Sequence, residues 1–292
     1  MSSVECKTVR LSEPQLQLWR FSGIGNDFLV HHRHESDAAL DSEAARALLH
    51  RHYGWGADGL IEFSYGHLGW EMTLWNSDGS RAEMSGNGLR CLGHAMSRFS
   101  KEVNSGRPEI LTVSTEAGYR SFRVLDGDPS TDVTLRSETS MSSGVILESA
   151  EVAGVAGTHV SMGNPHFVVV VPSEQRLDFE RLELDPLGAL ISSEIEGGSN
   201  VEWITPVDDH TLIMKVWERG VGPTLSCGTG SCASFLVARA MGLVQGEVTV
   251  VNPGGELTVR DDGKTLWLGG LTDYLGEIRV TLSQVATMKE RL

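Results

Sequence analysis

The chain has 292 residues, 40% of them hydrophobic, which is enough for about two domains with cores of their own. Its 39 acidic and 24 basic residues give a formal charge of −15, which disfavours nucleic acid and anionic membranes as partners because the overall field repels phosphate groups. The four cysteines are too few and too irregularly spaced for a disulfide framework, and no signal-like apolar segment is present, so the sequence predicts a cytoplasmic protein.

Short strands separated by turn residues dominate the pattern. In chain order, strands are predicted at residues 17–20, 28–31, 71–75, 110–113, 119–125, 166–171, 212–217, 247–251 and 265–268. Helices are predicted at residues 42–52, 89–99, 179–192 and 232–241. The fold class is therefore α/β of the α+β kind. Segments 126–143 and 269–273 are predicted to cross between two lobes, one of residues 1–130 plus 273–292 and one of residues 131–272.

One segment of the chain is duplicated. The sequence WNSDGSRAEMSGNGLR, beginning at Trp75, recurs without a gap as WERGVGPTLSCGTGSC, beginning at Trp217. Two further pairs follow the same order: SGIGNDFLV with SMGNPHFVVV, and STEAGYRSFRV with NPGGELTVR. Halves this long are not solenoid repeats, whose periods are about 20–50 residues. The duplication predicts two similar lobes with a site in the cleft between them.

Each copy carries a small nucleophilic residue before a Gly-x-Gly turn, Ser85 in the first and Cys227 in the second. A helix is predicted after each turn, so each turn is expected to be a helix N-terminus with unpaired N–H groups that can bind a carboxylate or phosphate. Because a helix N-terminus favours a thiolate, Cys227 is predicted to be a reactive base and nucleophile. Cys91 and Cys232, inside the predicted helices, are interpreted as inert core residues.

Two acid/base groups that face one carbon bearing an anion suggest removal of a proton on one face and delivery on the other, which is racemisation. Glu218 and Arg219, shortly before Cys227, could bind an amino group and a carboxylate. No cofactor is then required. SGIGNDF lacks the full dinucleotide fingerprint, and no lysine lies in a setting that suggests pyridoxal phosphate (Lys7, Lys101, Lys215, Lys264, Lys289). No metal site is predicted, since the histidines at 31, 32 and 34 are expected on a solvated loop.

These motifs resemble those of the diaminopimelate epimerase family over nearly the whole chain. The matching segments are GNDF at Gly25, GADG at Gly56, NSDGSRAEMSGNGLR at Asn76, MGNPH at Met162, NVEW at Asn200 and ERGVGPTLSCGTG at Glu218. The resemblance implies two pseudosymmetric lobes, each a curled, mostly antiparallel sheet around a central helix, with the active site in the cleft between them. It also implies epimerisation of LL- and meso-diaminopimelate without pyridoxal, and a homodimer.

Roles for individual residues follow from the same resemblance. It makes Cys227 one acid/base group, with His166 beside it and Glu218 serving the opposite side. Asn76 and Glu218 would hold the reacting amino group. The remaining substrate-binding residues fall into two sets: the backbone at Gly86, Asn87, Gly228 and Thr229 for the reacting carboxylate, and the side chains of Asn26, Asn164, Asn200 and Arg219 for the far end of the substrate.

The chain departs from the family pattern in two places that matter. Ser85 stands where the family carries a second catalytic cysteine, and residues 192–199, SSEIEGGS, replace a His-x-x-Phe-Pro pattern near the substrate's far end. A hydroxyl is a far weaker proton acceptor than a thiolate, so one face is expected to be impaired. The serine is either an engineered change or natural. The alternatives are therefore a racemase of another amino acid such as histidine, a one-base isomerase or dehydratase, and a non-catalytic amino-acid-binding protein.

Overall fold

The computed structural model describes residues 13–34, 37, 39–99, 110–175, 179 and 181–292. The predictions for Cys6, Lys7 and Lys101, and for position 180 of the helix predicted at 179–192, lie outside these residues. The strands are β1 Gln15–Gly23, β2 Asn26–His32, β3 Gly59–Gly66, β4 Gly69–Asn76, β5 Arg81–Ala82, β6 Leu111–Thr115, β7 Gly118–Asp126, β8 Thr134–Met141, β9 Val145–Val152, β10 Val155–Ser161, β11 Pro165–Val170, β12 Asn200–Asp208, β13 Thr211–Glu218, β14 Gly222–Thr224, β15 Val248–Asn252, β16 Gly255–Asp261 and β17 Leu266–Thr281. The helices are α1 Ser42–Leu49, α2 Gly86–Phe99, α3 Leu184–Glu194, α4 Gly228–Ala240 and α5 Leu282–Lys289, with a 3-10 turn at Ser173–Gln175.

The two halves of the chain repeat one pairing scheme. In the first half, β1 pairs with β2, β2 runs parallel to β3, β3 pairs with β4, β4 runs parallel to β6, and β6, β7 and β8 follow as antiparallel neighbours. In the second half, β10, β11, β12, β13, β15, β16 and β17 repeat that order with the same parallel and antiparallel pairs. The predicted α+β fold with two pseudosymmetric lobes is therefore confirmed.

Strand β17 belongs to both half-sheets. Its first residues lie between β16 and β8, and its last residues pair with β1, which closes the first half-sheet on itself. The segments predicted to cross between the lobes both contain strand: residues 126–143 include β8, and residues 269–273 lie inside β17. In β8 the inward positions include Ser137 and Thr139, both fully buried, so the hydrophobic alternation that marks a strand is missing from the sequence.

One helix lies at the centre of each half-sheet. All residues of α2 from Gly86 to Ser97 are buried, as are those of α4 from Gly228 to Phe235. Both helices are rich in Gly, Ala, Ser and Cys near their N-termini, because a curled sheet leaves little room around an enclosed helix. In α2, a methyl group on Gly93 would lie 2.4 Å from the Phe122 ring. Separate hydrophobic clusters surround the two helices, so each half has its own core.

The structure also changes some local predictions. Helices α2 and α4 each begin at the first glycine of the Gly-x-Gly turn, a few residues earlier than the periodicity alone predicts. The sequence patterns did not predict β3, β12 or α5. His31 and His32 lie in β2 rather than on a solvated loop. The His31 ring is buried, and its Nδ1 is 2.9 Å from the backbone oxygen of Gln17.

Candidate active site in the cleft between the half-sheets

The N-termini of α2 and α4 face each other at close range. A methyl group on Gly228 would lie 3.3 Å from the Cα of Gly86 and 3.6 Å from the backbone nitrogen of Asn87. The same methyl group would lie 2.8 Å from the Leu268 side chain, and a methyl group on Gly86 would lie 2.5 Å from it, so both turns use glycine. The first N–H groups of each helix have no partner within the helix, and both ends carry partial positive charge. Two helix ends placed in this way can bind one anion from both sides, a site called the anion seat below.

The duplicated nucleophiles cap these helices in the same way. The Ser85 Oγ accepts a hydrogen bond from the Gly88 N–H at 3.0 Å, and the Cys227 Sγ accepts one from the Gly230 N–H at 3.3 Å. Each is thus held beside the anion seat from its own half of the molecule. The duplication seen in the sequence therefore corresponds to a duplicated cap geometry.

A cleft of about 660 Å³ lies in front of the two helix ends. Residues of both halves line it. Of the residues predicted for the site, it contains Asn26, Asn76, Ser85, Gly86, Asn87, Asn164, Glu218, Arg219, Cys227, Gly228 and Thr229. His166 and Asn200 do not line the cleft. Its wall also includes apolar side chains of Phe28, Trp75, Met84, Val221 and Leu225.

Cys227 forms a pair with Glu218. The two groups interact through charge, and the Glu218 carboxylate also accepts a hydrogen bond from the Thr224 hydroxyl. Burial raises the pKa of the Cys227 thiol well above its usual value, and the negative charges of Glu218 and Glu202 raise it further. Hydrogen bonds from Thr229 and Gly230 oppose this shift but are smaller causes. The expectation of a thiolate at the helix end is therefore wrong for the unliganded protein, because burial and two carboxylates outweigh the helix terminus.

Glu218 also differs from its expected place. The resemblance assigned it to the side opposite Cys227, whereas the structure places it against that thiol. Burial raises the pKa of the Glu218 carboxyl, and its interactions with Thr224 and Cys227 act in the opposite direction. A carboxylate with a raised pKa can accept a proton from a neighbouring thiol more readily than an ordinary glutamate can. The pair can therefore pass one proton between oxygen and sulfur.

His166 lies behind the cleft wall rather than in it. Its Nδ1 is 2.7 Å from the Glu202 Oε1, and its Nε2 is 3.1 Å from the Oδ1 of Asn164, which does line the cleft. Both His166 and Glu202 are buried, at the N-terminal end of α4: a methyl group on Gly230 would lie 2.5 Å from the Glu202 Oε1. His166 therefore reaches the cleft through Asn164.

Asn200 acts on the cleft through its neighbour Arg219. The buried Asn200 Oδ1 accepts a hydrogen bond from the Arg219 backbone N–H at 2.9 Å. The Arg219 guanidinium donates from Nη1 to the Gly197 carbonyl at 2.8 Å. Gly197 belongs to the loop that departs from the family pattern. The one cationic side chain that lines this cleft, among the described residues, is thus held by that loop.

Other polar side chains link the two halves at the floor of the cleft. The Asn87 Nδ2 donates to the Asn26 Oδ1 at 2.6 Å and to the Ser226 Oγ at 2.9 Å. The Asn76 Nδ2 donates to the Ser80 hydroxyl at 3.0 Å near the cleft mouth. Sequence reasoning missed Ser226 and also Thr224, although both lie within the duplicated segment. Their only sequence signal was that position, since a serine or threonine in a turn is common for other reasons.

The arrangement suits proton transfer at a carbon that carries a carboxylate. It offers an anion seat, a thiol–carboxylate pair on one side and a hydroxyl on the other. Within the described part of the chain, no helix is long and apolar enough to span a bilayer. Across the same residues, His, Cys, Asp and Glu side chains do not gather in groups of three or more that could hold a metal ion.

Comparisons with known proteins agree with this geometry. The sequence model of the diaminopimelate epimerase family matches residues 19–136 and 158–275. A diaminopimelate epimerase from Synechococcus sp. (strain JA-2-3B'a(2-13)) is 38% identical over 277 residues, which cover 88% of this chain and 95% of the relative. One from Desulfitobacterium hafniense (strain DSM 10664 / DCB-2) is 38% identical over 269 residues, covering 84% of this chain and 90% of the relative.

Solved structures share the fold at low sequence identity. A hydroxyproline epimerase from Agrobacterium vitis superposes with a TM-score of 0.67 at 16% identity, covering 92% of this chain and 93% of the other. A phenazine biosynthesis protein of the PhzF family from Bacillus anthracis superposes with a TM-score of 0.65 at 13% identity, covering 92% of this chain and 100% of the other. At these identities the likeness establishes the fold alone.

Proposed function

Because the chain belongs to the diaminopimelate epimerase family and is thereby an isomerase, we propose that it interconverts LL- and meso-diaminopimelate by moving the α-proton between two faces. The relatives named for that reaction span most of this chain and support the substrate. The observation that supports the reaction is the pair of matched caps, Ser85 on the N-terminus of α2 and Cys227 on that of α4, at two helix ends that lie close together.

The anion seat would bind the reacting α-carboxylate. Removal of the α-proton spreads carbanion charge into that carboxylate, so N–H groups fixed at two helix ends stabilise the transition state more than the ground state. In this proposal the backbone of Gly86 and Asn87 serves one side and that of Gly228 and Thr229 the other. No pyridoxal group is required, because the helix ends supply the electrostatic stabilisation.

The substrate's ammonium group would lie between Asn76 and Glu218. Its positive charge would offset the field of Glu218, which favours ionisation of Cys227 when substrate binds. The Cys227 proton passes to Glu218. The thiolate then takes the α-proton, forming an S–H bond while the C–H electron pair moves into the carboxylate.

On the opposite face, Ser85 would deliver a proton from its hydroxyl and be reprotonated by solvent. A hydroxyl is poor as a proton acceptor, so proton transfer at the Ser85 face should limit inversion in both directions. We therefore propose slow inversion, with proton exchange at the Cys227 face as the faster event. A cysteine at position 85 should restore balanced two-base chemistry.

The far end of diaminopimelate would be held by Arg219, Asn26 and Asn164, with Asn200 fixing Arg219. A second candidate, racemisation of another amino acid such as histidine, is favoured by one contact. The atypical loop accepts a hydrogen bond from the Arg219 guanidinium through Gly197. That contact uses one donor that a distal carboxylate would otherwise share.

Deuterium exchange tests the proposal. The chain as written and its Ser85→Cys variant are incubated with LL- and meso-diaminopimelate in D2O, and α-deuterium and stereochemistry are followed over time. We expect deuterium in the substrate with both proteins, and inversion at least about a hundredfold faster in Ser85→Cys, the lower end of the rate effect typical of one general acid–base group. Absence of α-deuterium with either protein would refute the diaminopimelate assignment.

A panel of amino acids in the same assay separates the alternatives. Exchange with histidine but not with diaminopimelate would favour the second candidate, and exchange that never leads to inversion would indicate one-base chemistry. Saturable binding without any exchange would leave a non-catalytic binding protein. We also propose that the protein is a homodimer, that it is cytoplasmic, and that its lobes divide at residues 130/131 and 272/273.

A further inference from the structure

A buried chain of hydrogen bonds joins the two half-sites beneath the cleft. The Arg90 Nη2 donates to the Asn87 Oδ1 at 2.6 Å, the Asn87 Nδ2 donates to the Ser226 Oγ at 2.9 Å, and the Ser226 Oγ donates to the Ile24 carbonyl at 2.7 Å. Arg90, Asn87 and Ser226 are all buried. Ser226 directly precedes Cys227, and Asn87 lies two residues after Ser85. This network of hydrogen bonds therefore connects the segments that carry the two proton-transfer groups.

Each hydrogen bond in this buried network can run in only one direction. A guanidinium can only donate, so the Asn87 oxygen must face Arg90 and the Asn87 amide nitrogen must face Ser226. The Ser226 hydroxyl accepts that bond and spends its single proton on the Ile24 carbonyl. The second Asn87 N–H is taken by the Asn26 Oδ1 at 2.6 Å. The polarity is thus fixed from Arg90 outward, and loss of the Ser226 hydroxyl leaves a buried donor and a carbonyl unsatisfied.

The Ile24 end of the chain lies in a strained turn. Ile24 has φ of 55° and Gly25 has φ of 87°, both in the left-handed region, which a β-branched residue seldom adopts. Such a residue costs on the order of 1–3 kcal/mol and persists only where surrounding contacts fix it. This turn belongs to the first half but packs on the second, since a methyl group on Gly25 would lie 2.9 Å from the Leu225 Cβ. The Ser226 hydroxyl is one of the contacts that hold it there.

The Arg90 end ties the chain to the shared strand. Its Nη1 donates to the Leu271 carbonyl in β17 at 3.0 Å. Among the described residues, Arg90 has no ion pair with a carboxylate, so its charge is balanced only by the dipoles that it contacts. Such a fully buried cation polarises the Asn87 amide and strengthens its N–H donors.

We propose that Ser226 and Arg90 are positioning residues that fix the separation of Ser85 and Cys227 across the cleft, an inference that rests on the proposed function for the reaction it affects. Neither residue was assigned a role by the motifs. A displacement of about 1 Å at a reacting centre can lower a rate by about a hundredfold. The effect of losing either residue should fall on kcat, since the anion seat and the far-end residues remain.

The test compares Ser226→Ala with Ser234→Ala in the chain as written. Both serines are fully buried, but the Ser234 hydroxyl contacts the Met214 sulfur within the second half, so its removal controls for a buried hydroxyl. For Ser226→Ala we expect kcat for α-deuterium exchange to fall at least about tenfold with KM changed less than about threefold. Ser234→Ala should leave both near their starting values. Equal kcat in the two variants would overturn the inference.

A second measurement does not depend on turnover. Hydrogen–deuterium exchange mass spectrometry of Ser226→Ala should show faster amide exchange in two segments from different halves, residues 22–28 and 223–228, whereas Ser234→Ala should not. Unchanged rates of amide exchange in both segments would contradict the inference even if activity falls. If the chain as written turns over no amino acid, the proposed function fails, and the protection data still decide the positioning role.

Two more variants guard against a simple folding defect. Ser226→Cys keeps the side chain's shape but provides only a weak hydrogen-bonding group, so kcat should again fall while the melting temperature stays close to that of the unmodified chain. Arg90→Lys keeps the charge but cannot reach both the Asn87 oxygen and the Leu271 carbonyl, and we expect an intermediate loss of kcat. Full activity in both variants would refute the positioning role.

Discussion

Replacement of Glu218 by glutamine should make Cys227 more reactive towards iodoacetamide, even though it removes a residue of the proposed catalytic pair. In the unliganded protein, burial and the charges of Glu218 and Glu202 raise the pKa of the Cys227 thiol. Glutamine has nearly the same shape as glutamate without the charge. The substitution therefore removes one of the two repulsive fields and leaves the helix terminus in place.

The size of the effect follows from Coulomb's law. Two unit charges about 4 Å apart repel by about 1 kcal/mol in water and about 4 kcal/mol at the effective dielectric constant of about 20 that describes protein sites. Since about 1.4 kcal/mol is tenfold in the thiolate fraction, alkylation of Cys227 at pH 7 should accelerate by between about fivefold and several hundredfold.

The assay is mass spectrometry of the labelled peptides over time at several pH values. Cys91 and Cys232 should stay unlabelled, because both are fully buried and burial raises the pKa of each thiol, that of Cys91 to about 12. A matched control is Glu62→Gln, since Glu62 is a buried glutamate that pairs with Arg33, and both lie in the first half of the chain whereas Cys227 lies in the second. An unchanged or slower alkylation rate in Glu218→Gln would refute the electrostatic explanation.

Three further predictions concern stability. Ser85→Cys should shift the melting temperature by less than a substitution that opens a cavity in the core would, because a small cap residue at a cleft makes few packing contacts. Gly93→Ala should destabilise the protein by about 1–3 kcal/mol in urea unfolding, since its methyl group would lie 2.4 Å from the Phe122 ring; an unchanged midpoint would show that the ring can move. Burial lowers the pKa of His94 to about 4, below the usual value of about 6.5. As pH falls, this histidine is therefore protonated in the unfolded chain before it is protonated in the folded protein. The free energy of unfolding should therefore keep its full value above about pH 6.5 and decline by up to about 3 kcal/mol towards pH 4. The variant His94→Gln should show a smaller decline.

The sequence by itself determined the duplicated half-site. The Gly-x-Gly turns predict helix N-termini because glycine, a capping residue and a following helical pattern act over a few neighbouring positions. The matched caps of Ser85 and Cys227 confirm that reading, and the family motifs are equally local. The enclosed position of both helices was implied by the family resemblance and not by a local sequence pattern.

The tertiary structure determined the features that depend on residues distant in the chain. Strand β8 escaped prediction because its inward positions include Ser137 and Thr139, which are buried only once the sheet has curled. Strand β17 passes through the glycines at 269 and 270, which the sequence assigned to a crossing between the lobes. A methyl group on Gly270 would lie 2.6 Å from the Arg90 Nη1, so that glycine is required by a helix far away in the chain.

The protonation state of Cys227 shows most clearly which causes are local in sequence and which arise only in the tertiary structure. The helix end that favours a thiolate is a local feature, and the sequence placed it correctly. The opposing causes are burial and the charges of Glu202 and Glu218, which β12 and the end of β13 bring beside the sulfur. Burial and charge–charge distance exist only in the folded molecule, so the direction of the pKa shift, like the bond between Ser226 and Asn87, could be known only from the tertiary structure.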